Sequence, residues 1–396
     1  MKRSWAAVVL GAGVLVLVVH SCTGASPVAP RPSPAARQPA AAAATLLAGM
    51  PAPLDPHDVY AATRPGLLSP ATAGALPYVY VPHTLSNEVV VIDQRTFRVV
   101  RRFPAGNEVQ HVVPSYDLRT LYAAADGSNT LLEIDPRTGK PGRTLPVTDP
   151  YNLYFTPDGR WAIDVAETKG RHAGGGDALI FYDPHRWTVH HRLATPACTG
   201  IDHMDFTADG RWALVSCEFS GRMLVLDVAR QRVRQMIDLP GGRDGMPQDV
   251  KLSPDGRYFY IADMMADGVY QVDAATMRVL RLIPTGKGTH GLYVDRTSTR
   301  MFVTNRGEGT ITVLDPATGD IRTKWHLPGG GSPDMGGLNA DGTVLWLSGR
   351  YDGVVYAIRA SDGHLLRKIP VGRGPHGLCV WPQPGRYSLG HTGVLR

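Results

Sequence analysis

What most constrains the fold of this chain is a repeat with a period in the low forties. A Gly/Pro-rich turn leads into a short apolar run and then a tight turn: TPDGR at 156–160, TADGR at 207–211, SPDGR at 253–257, NADGT at 339–343. A second run ends in a polar step, as in WALVSCEFSG, YFYIADMMADG, MFVTNRGEG and LWLSGRYDG. A third (TITVLD, LLEID) reaches a turn such as DPRTG or DPATG, and a fourth carries RVVRRFP, RVLRLIP or HLLRKIP. Each run is short, rich in β-branched residues and bounded by turn residues, so each reads as a strand.

Aligning the entries to the first strand superposes Gln110, Tyr151, Asp202, Gln248, His290, Asp334 and His376. Their spacings fall between 41 and 46 residues, except for the 51 between Tyr151 and Asp202, which marks an insertion. Four strands per unit at that period is the arithmetic of a propeller. No 3.6-residue pattern supports the two helices that a helical repeat would need. Seven first strands occur, but the last, HGLCVWP, has no partner strands after it. Conversely, the domain begins at Tyr78 with strands two, three and four (YVYVPHT, EVVVID, RVVRRFP) and no first. The expected fold is all-β: a seven-bladed β-propeller of four-stranded antiparallel blades over 76–382, closed by the C-terminal strand completing the N-terminal blade. Closure of this kind removes the open sheet edge.

The ends read differently. Lys2 and Arg3 precede WAAVVLGAGVLVLVV, an uncharged run of fifteen. A basic start with a short apolar core is an export signal, too short for a comfortable spanning helix. Val19-His20-Ser21-Cys22 resembles a bacterial lipobox, which implies a signal peptide over 1–22 and acylation of Cys22. His20 departs from the small residue usual there, so cleavage near Ala25 and an uncleaved anchor stay open. Each of the three readings exports the protein. Residues 23–75 are dominated by Pro, Ala and Gly and read as a tether, with Asp58 to Leu68 able to pack on the domain. Residues 383–396 read as a tail. Export allows disulfides, and Cys198 and Cys217 both fall at the top of one blade, so they are expected to pair; Cys379, in mid-strand, reads as a buried apolar filler. The formal charge of +6 is diffuse, without a Lys/Arg run, and argues against nucleic acid.

The step MFVTN at 301–305 and the PHG or THG before entering strands resemble the repeats of YVTN-type propellers, over roughly 78–382. Such propellers are similar to bacterial surface-layer repeats and, more distantly, to lactonase propellers and the d-type haem domain of nitrite reductases. The closing PQPGRYSLGHTGVLR is similar to the tail of actinobacterial lipoprotein-like members. The resemblance implies the fold and supplies no reaction.

Topology then decides which residues converge. In a four-stranded blade the first strand lines the channel, and its start shares the upper face with the end of the second strand. The candidate ligand-binding set there is His111, Asp202, His203, Asp249, His290, Arg306, Asp334, Arg350 and His376. Imidazole with carboxylate suits a borderline divalent metal ion, with His111, His203, His290 and Glu218 as candidate ligands. Any one of these histidines would equally serve its turn by satisfying backbone groups. No HExxH, paired CxxC, CxxCH or GxSxG motif occurs, and GKGT at 286–289 lacks the rest of a Walker spacing. The insertion ETKGRHAGGGD (167–177) brings Lys169, Arg171 and His172 to the same face as a lid or a tolerated surface loop. With Arg306 and Arg350 it favours a small anionic ligand such as a carboxylate. The expected function is that of an exported, lipid-anchored monomer that binds a solute or an envelope partner through its upper face. The alternative is a metal- or cofactor-dependent enzyme or carrier, lactonase-like or d-type haem propeller-like.

Overall fold

A computed structural model describes residues 45–167 and 177–396. Among these residues the strands form seven four-stranded antiparallel sheets, and the sheet of blade 1 is ordered so that Cys379–Trp381 pairs with Tyr78–Pro82, followed by Glu88–Asp93 and Arg98–Pro104. The chain therefore closes its ring by joining its two ends in one sheet. Blades 2 to 7 follow in order, and their first strands, which line the channel, are Val109–Pro114, Pro150–Phe155, Ile201–Phe206, Pro247–Leu252, Thr289–Val294 and Pro333–Leu338.

The burial pattern explains the sequence pattern. First and second strands are buried along nearly their whole length, on both faces, because each blade packs between two neighbours. They read as continuous apolar runs for that reason. Outer strands such as Arg98–Pro104 alternate between exposed and part-buried, which is why RVVRRFP carries its charges. The recurrent xDG turns share one chemistry. Asp158, Asp209 and Asp255 each accept from the backbone N–H two residues on and from the Thr or Ser hydroxyl two residues back. Gly159, Gly210, Gly256 and Gly342 take φ of 70° to 75°, a conformation in which glycine has no Cβ penalty. Trp346 is fully buried in blade 7 and stacks on Phe97 of blade 1 with ring centroids 5.4 Å apart, a packing role.

In blades 2 to 7 the first strand breaks register with the second at the same place. Register shifts fall between Val109 and His111, Pro150 and Asn152, Ile201 and Met204, Pro247 and Val250, Thr289 and Leu292, and Pro333 and Gly336. A bulge re-aims side chains where it occurs. Here it lets two successive residues of one strand serve the lumen.

Both ends differ from their sequence expectation. The stretch read as tether up to residue 75 is laid against the lower side of the ring from Leu47 onward. Leu47 N donates to the Asp209 carbonyl, Val59 N to that of Pro254, and Leu76 N to that of Pro136, all in lower turns. Tyr60 is buried and its hydroxyl donates to the Leu252 carbonyl at 2.8 Å. The segment 383–396 is not a free tail either. It turns under the ring and enters the channel from below: His391 N donates to Leu153 O, Phe155 N to Leu389 O, and Arg396 reaches Asp205 at 2.7 Å. Tyr387, Leu389, Val394 and Leu395 are buried there. Few charges and several apolar side chains let both segments gain by docking what their Pro/Gly content suggested they would lose. The Cys198–Cys217 disulfide is formed, and Cys379 is a buried free thiol. The signal segment, Cys22 and the insertion residues Lys169, Arg171 and His172 lie outside the described residues.

Candidate ligand site in the central channel

Because of the bulges, two tiers of side chains face the lumen. The upper tier contains the aligned residues Tyr151, Asp202, His290, Asp334 and His376. The second contains His111, Asn152, His203, Asp249 and Met335. All ten are buried. They bond to one another across blades, so they lie inside the channel and not on its rim.

Asp334 organises one side of the upper tier. Its Oδ2 stands 2.7 Å from His376 Nδ1, and its Oδ1 stands 3.1 Å from Arg306 Nη1 and 3.2 Å from His290 Nδ1. His376 passes the connection on, since the Tyr151 hydroxyl lies 3.3 Å from its Nε2. The result is a carboxylate–imidazole–phenol chain spanning blades 7, 1 and 3. Arg306 spends its charge on Asp334, while its guanidinium also lies 5.3 Å from the ring of the exposed Tyr351. Arg350 is half-buried near that rim.

The second tier gathers around His111 and His203, whose ring centroids are 5.4 Å apart. A third imidazole joins them, His391 from the C-terminal segment, 4.7 Å from His203 and 5.4 Å from His111. The candidate metal set expected from sequence thus appears in altered form. His111 and His203 come together with His391, and one ligand atom from each lies within 4.8 Å of the others. His290 instead turns to Asp334 and packs 5.9 Å from His376. Glu218 sits half-buried in the turn after Cys217, its backbone N–H donating to Gly200 O. Asp202 and Asp249 flank the cluster, 3.0 Å from His203 Nε2 and 3.8 Å from His391 Nε2. Asp249 is also held by the backbone N–H groups of Val250 and Leu292.

Burial sets the protonation of this lumen. It pushes His203 and His391 well below the ordinary imidazole range, and the neighbouring imidazoles push the same way. His290 is lowered by burial and then by Arg306. Asp202 is raised well above the usual carboxyl value by burial, with Glu218 and Glu167 adding to it. Asp249 is raised to about 6 by burial, partly offset by Lys251 and its two backbone donors. These histidines are therefore neutral at pH 7 and carry a lone pair for a ligand or proton.

Sequence alignment placed Tyr151 and Asn152 at the right positions without giving them a role, and it missed His391 and Met335. A signal for His391 was present: a closing segment with Arg386 and Arg396 as its only charges, four buried-type apolar residues and one histidine is unlike a solvated tail.

Comparison with known proteins agrees on the fold. A YNCE-like beta-propeller family model matches residues 37–174 and a lactonase, 7-bladed beta-propeller model matches residues 172–333. Each model spans less than half of the chain, and both describe β-propellers, the fold to which MFVTN and the PHG and THG steps point. No curated protein matches the sequence. Among solved structures, a functionally unknown protein from Desulfotomaculum acetoxidans is 14% identical with a TM-score of 0.63, over 76% of this chain and 98% of that one. Kuenenia stuttgartiensis hydrazine synthase is 18% identical with a TM-score of 0.56, over 67% and 87%. The dihydro-heme d1 dehydrogenase NirN in complex with DHE is 17% identical with a TM-score of 0.56, over 84% and 79%. At such identities the likeness is one of fold.

Proposed function

We propose that this chain is an exported ligand-binding propeller that takes a small ligand into its central channel through the upper mouth, with the N-terminal segment holding it at the cell envelope. The observation that carries this reading is the pairing of a polar, histidine-rich upper lumen with a floor closed by the chain's own residues 383–396. A propeller needs no polar lumen to be stable, and buried polar groups cost free energy unless they are satisfied. Ten buried lumen residues kept polar or soft and gathered at one end of the channel are what a small-ligand site would use. A scaffold working through its outer strands would need none of it.

The test is a thermal-shift screen of small carboxylates, sugars, lactones and metal ions on the mature chain, repeated on Tyr151→Phe and His376→Ala. A channel ligand raises the melting temperature of the wild type and loses most of that shift in both variants. A shift that survives both, with hydrogen-exchange protection on the outer strands instead of the first strands, overturns the proposal.

One observation favours a second reading, acid–base catalysis on the captured ligand: the Asp334–His376–Tyr151 chain has the base-orienting geometry of a proton relay. The match to the lactonase model points to lactones as the first substrates to try. Turnover that disappears in Tyr151→Phe while binding persists supports it.

A further inference from the structure

The floor of the channel holds two buried cations that the function proposed above does not use. A cavity of about 50 Å³ is bounded there by the first strands of blades 5, 6 and 7 and by the closing segment. Lys251, Arg296, Gln383 and Thr392 line it, with Thr63 of the N-terminal segment and Gly337. Lys251 is 6% exposed and Arg296 7%, so both cations are more than nine-tenths buried beside one space. Among the described residues no Asp or Glu lines it.

Arg296 is only partly satisfied. Its Nε donates to the Asn339 carbonyl at 3.2 Å, and its Nη2 donates to the Leu338 carbonyl at 2.8 Å and to Gln383 Oε1 at 3.1 Å. All three acceptors are neutral. Burial lowers the guanidinium to about 10, which leaves it charged at pH 7, and Asp341 and Asp295 counter this without forming an ion pair. Lys251 has less still: among the described residues its Nζ makes no hydrogen bond and no ion pair. The carboxylates that could have met it are spent elsewhere. Asp205, its counterpart on blade 4, takes Arg396 at 2.7 Å and the Leu252 N–H at 2.9 Å. Asp249, two residues up the strand, takes the N–H groups of Val250 and Leu292. The charge of Lys251 is nonetheless felt above, where it acts to lower Asp249, His203 and His391. A buried ammonium without an acceptor has given up its hydration unreplaced, a cost that a counter-ion removes.

We propose that this cavity binds one small monovalent inorganic anion, of the chloride class, held by the Lys251 ammonium and the Arg296 guanidinium. Charge selects the class. Two cations offset by Asp249 above them balance a single further negative charge, whereas a dianion would leave the floor net negative. His203 and His391 are neutral and Asp205 is already paired with Arg396, so none of these alters the sum. Size selects it too. A water needs about 10–15 Å³, so a cavity of about 50 Å³ takes a monatomic ion with companion waters and no organic ligand. Because Gln383 and Thr392 belong to the closing segment, the anion ties that segment to blades 5 and 6.

The experiment follows the thermal midpoint of the mature chain as sodium chloride replaces sodium isethionate, whose anion is too large for the cavity, at constant ionic strength. The wild type should show a saturable rise of about 2–4 °C, as for an ion that binds only the folded state. Hydrogen-exchange protection should rise with it over 383–396. Bromide-soaked crystals should show an anomalous peak in the cavity. Lys251→Met breaks no hydrogen bond of the side chain. In isethionate it should match or exceed the wild-type midpoint, since an unpaired buried charge is gone, and chloride should no longer raise it. Arg296→Met should lose the rise as well; if that variant misfolds, Lys251→Met and the bromide peak carry the test. No saturable rise, a rise that Lys251→Met keeps, a larger rise with sulfate than with chloride, or a cavity without bromide overturns the proposal. The reading of the upper lumen stands or falls separately, on the thermal shift that Tyr151→Phe should abolish.

Discussion

The upper and lower halves of the channel solve the same packing problem in opposite ways. A seven-bladed ring leaves a hole along its axis. Below, the chain fills that hole with itself: Tyr387, Leu389, Val394 and Leu395 are buried and Arg396 closes on Asp205 at 2.7 Å. Above, the hole is lined by side chains that pair across it, Asp334 with His376, His290 and Arg306, and Tyr151 with His376. The lower half looks like the interior of any domain. The upper half keeps imidazoles and carboxyls buried at a cost in desolvation that apolar residues would avoid. On the function proposed above, that difference gives stability to the floor and ligand binding to the mouth, and it can be broken from either side.

The largest effect should come from removing the floor. Deletion of residues 383–396 takes away four buried apolar side chains, each contributing about 1.5–3 kcal/mol. It also leaves Asp205 buried without Arg396, its partner at 2.7 Å. The combined loss exceeds about 5 kcal/mol, most of the net stability of a domain. Urea unfolding followed by tryptophan fluorescence should show a collapsed midpoint or no cooperative transition. A near-normal midpoint would mean that the segment adds little to the core and that the floor is not where the stability lies.

The next effect belongs to the mouth and depends on pH. His83, at the upper end of blade 1, is lowered to about 4 by burial, only partly countered by its contact with the Val81 carbonyl. An imidazole with a depressed folded-state pKa contributes stability that is complete above its unfolded value near 6.5 and lost as pH falls toward 4. Over that window the loss is about 3 kcal/mol. Asp249, raised to about 6, works in the opposite sense between its ordinary value and 6, so the total slope is a balance. The difference between wild type and His83→Gln isolates the histidine: the variant should be clearly less sensitive to acid from pH 6.5 to 4. Parallel stability curves would put the acid sensitivity elsewhere.

How much of this was legible in the sequence follows the same division. The blades, their number and the closure of the ring by Cys379–Trp381 were readable because each strand repeats its own turn chemistry and apolar run. The Cys198–Cys217 pair followed from blade geometry. The identity of the upper tier followed from alignment alone. The lower half was not readable. Nothing repeats in 45–75 or 383–396, and their docking rests on single backbone bonds to lower turns and on scattered residues such as Tyr60 and Leu389. His391 therefore stayed out of sight, although it completes the cluster that His111 and His203 begin. The bulges were equally hidden: an alignment gives each first strand one lumen position, and a register shift gives it two.

The smallest effect is the sharpest discriminator, because it compares two glycines in the same channel. Neither Gly377, after His376, nor Gly337, on the first strand of blade 7, adopts a positive φ, so alanine strains the backbone at neither. A Cβ on Gly377 would stand 2.0 Å from His111 Cδ2 and 2.7 Å from Cγ, a contact that forces the ring to move. Moving it breaks the bond from His111 Nδ1 to the Tyr151 carbonyl at 2.8 Å. A Cβ on Gly337 would meet nothing nearer than 3.9 Å, beside a cavity of about 50 Å³ that Thr392 and Val394 also line. Gly377→Ala should therefore cost about 1–3 kcal/mol and disturb every ligand that uses His111. Gly337→Ala should fall within about 0.5 kcal/mol of wild type. The recurring His-Gly step is then explained twice over: the period of the blades brings it back, and at Gly377 the absent side chain makes room for the imidazole of the next blade. Equal costs for the two alanines would show that His111 is not held where its chemistry requires.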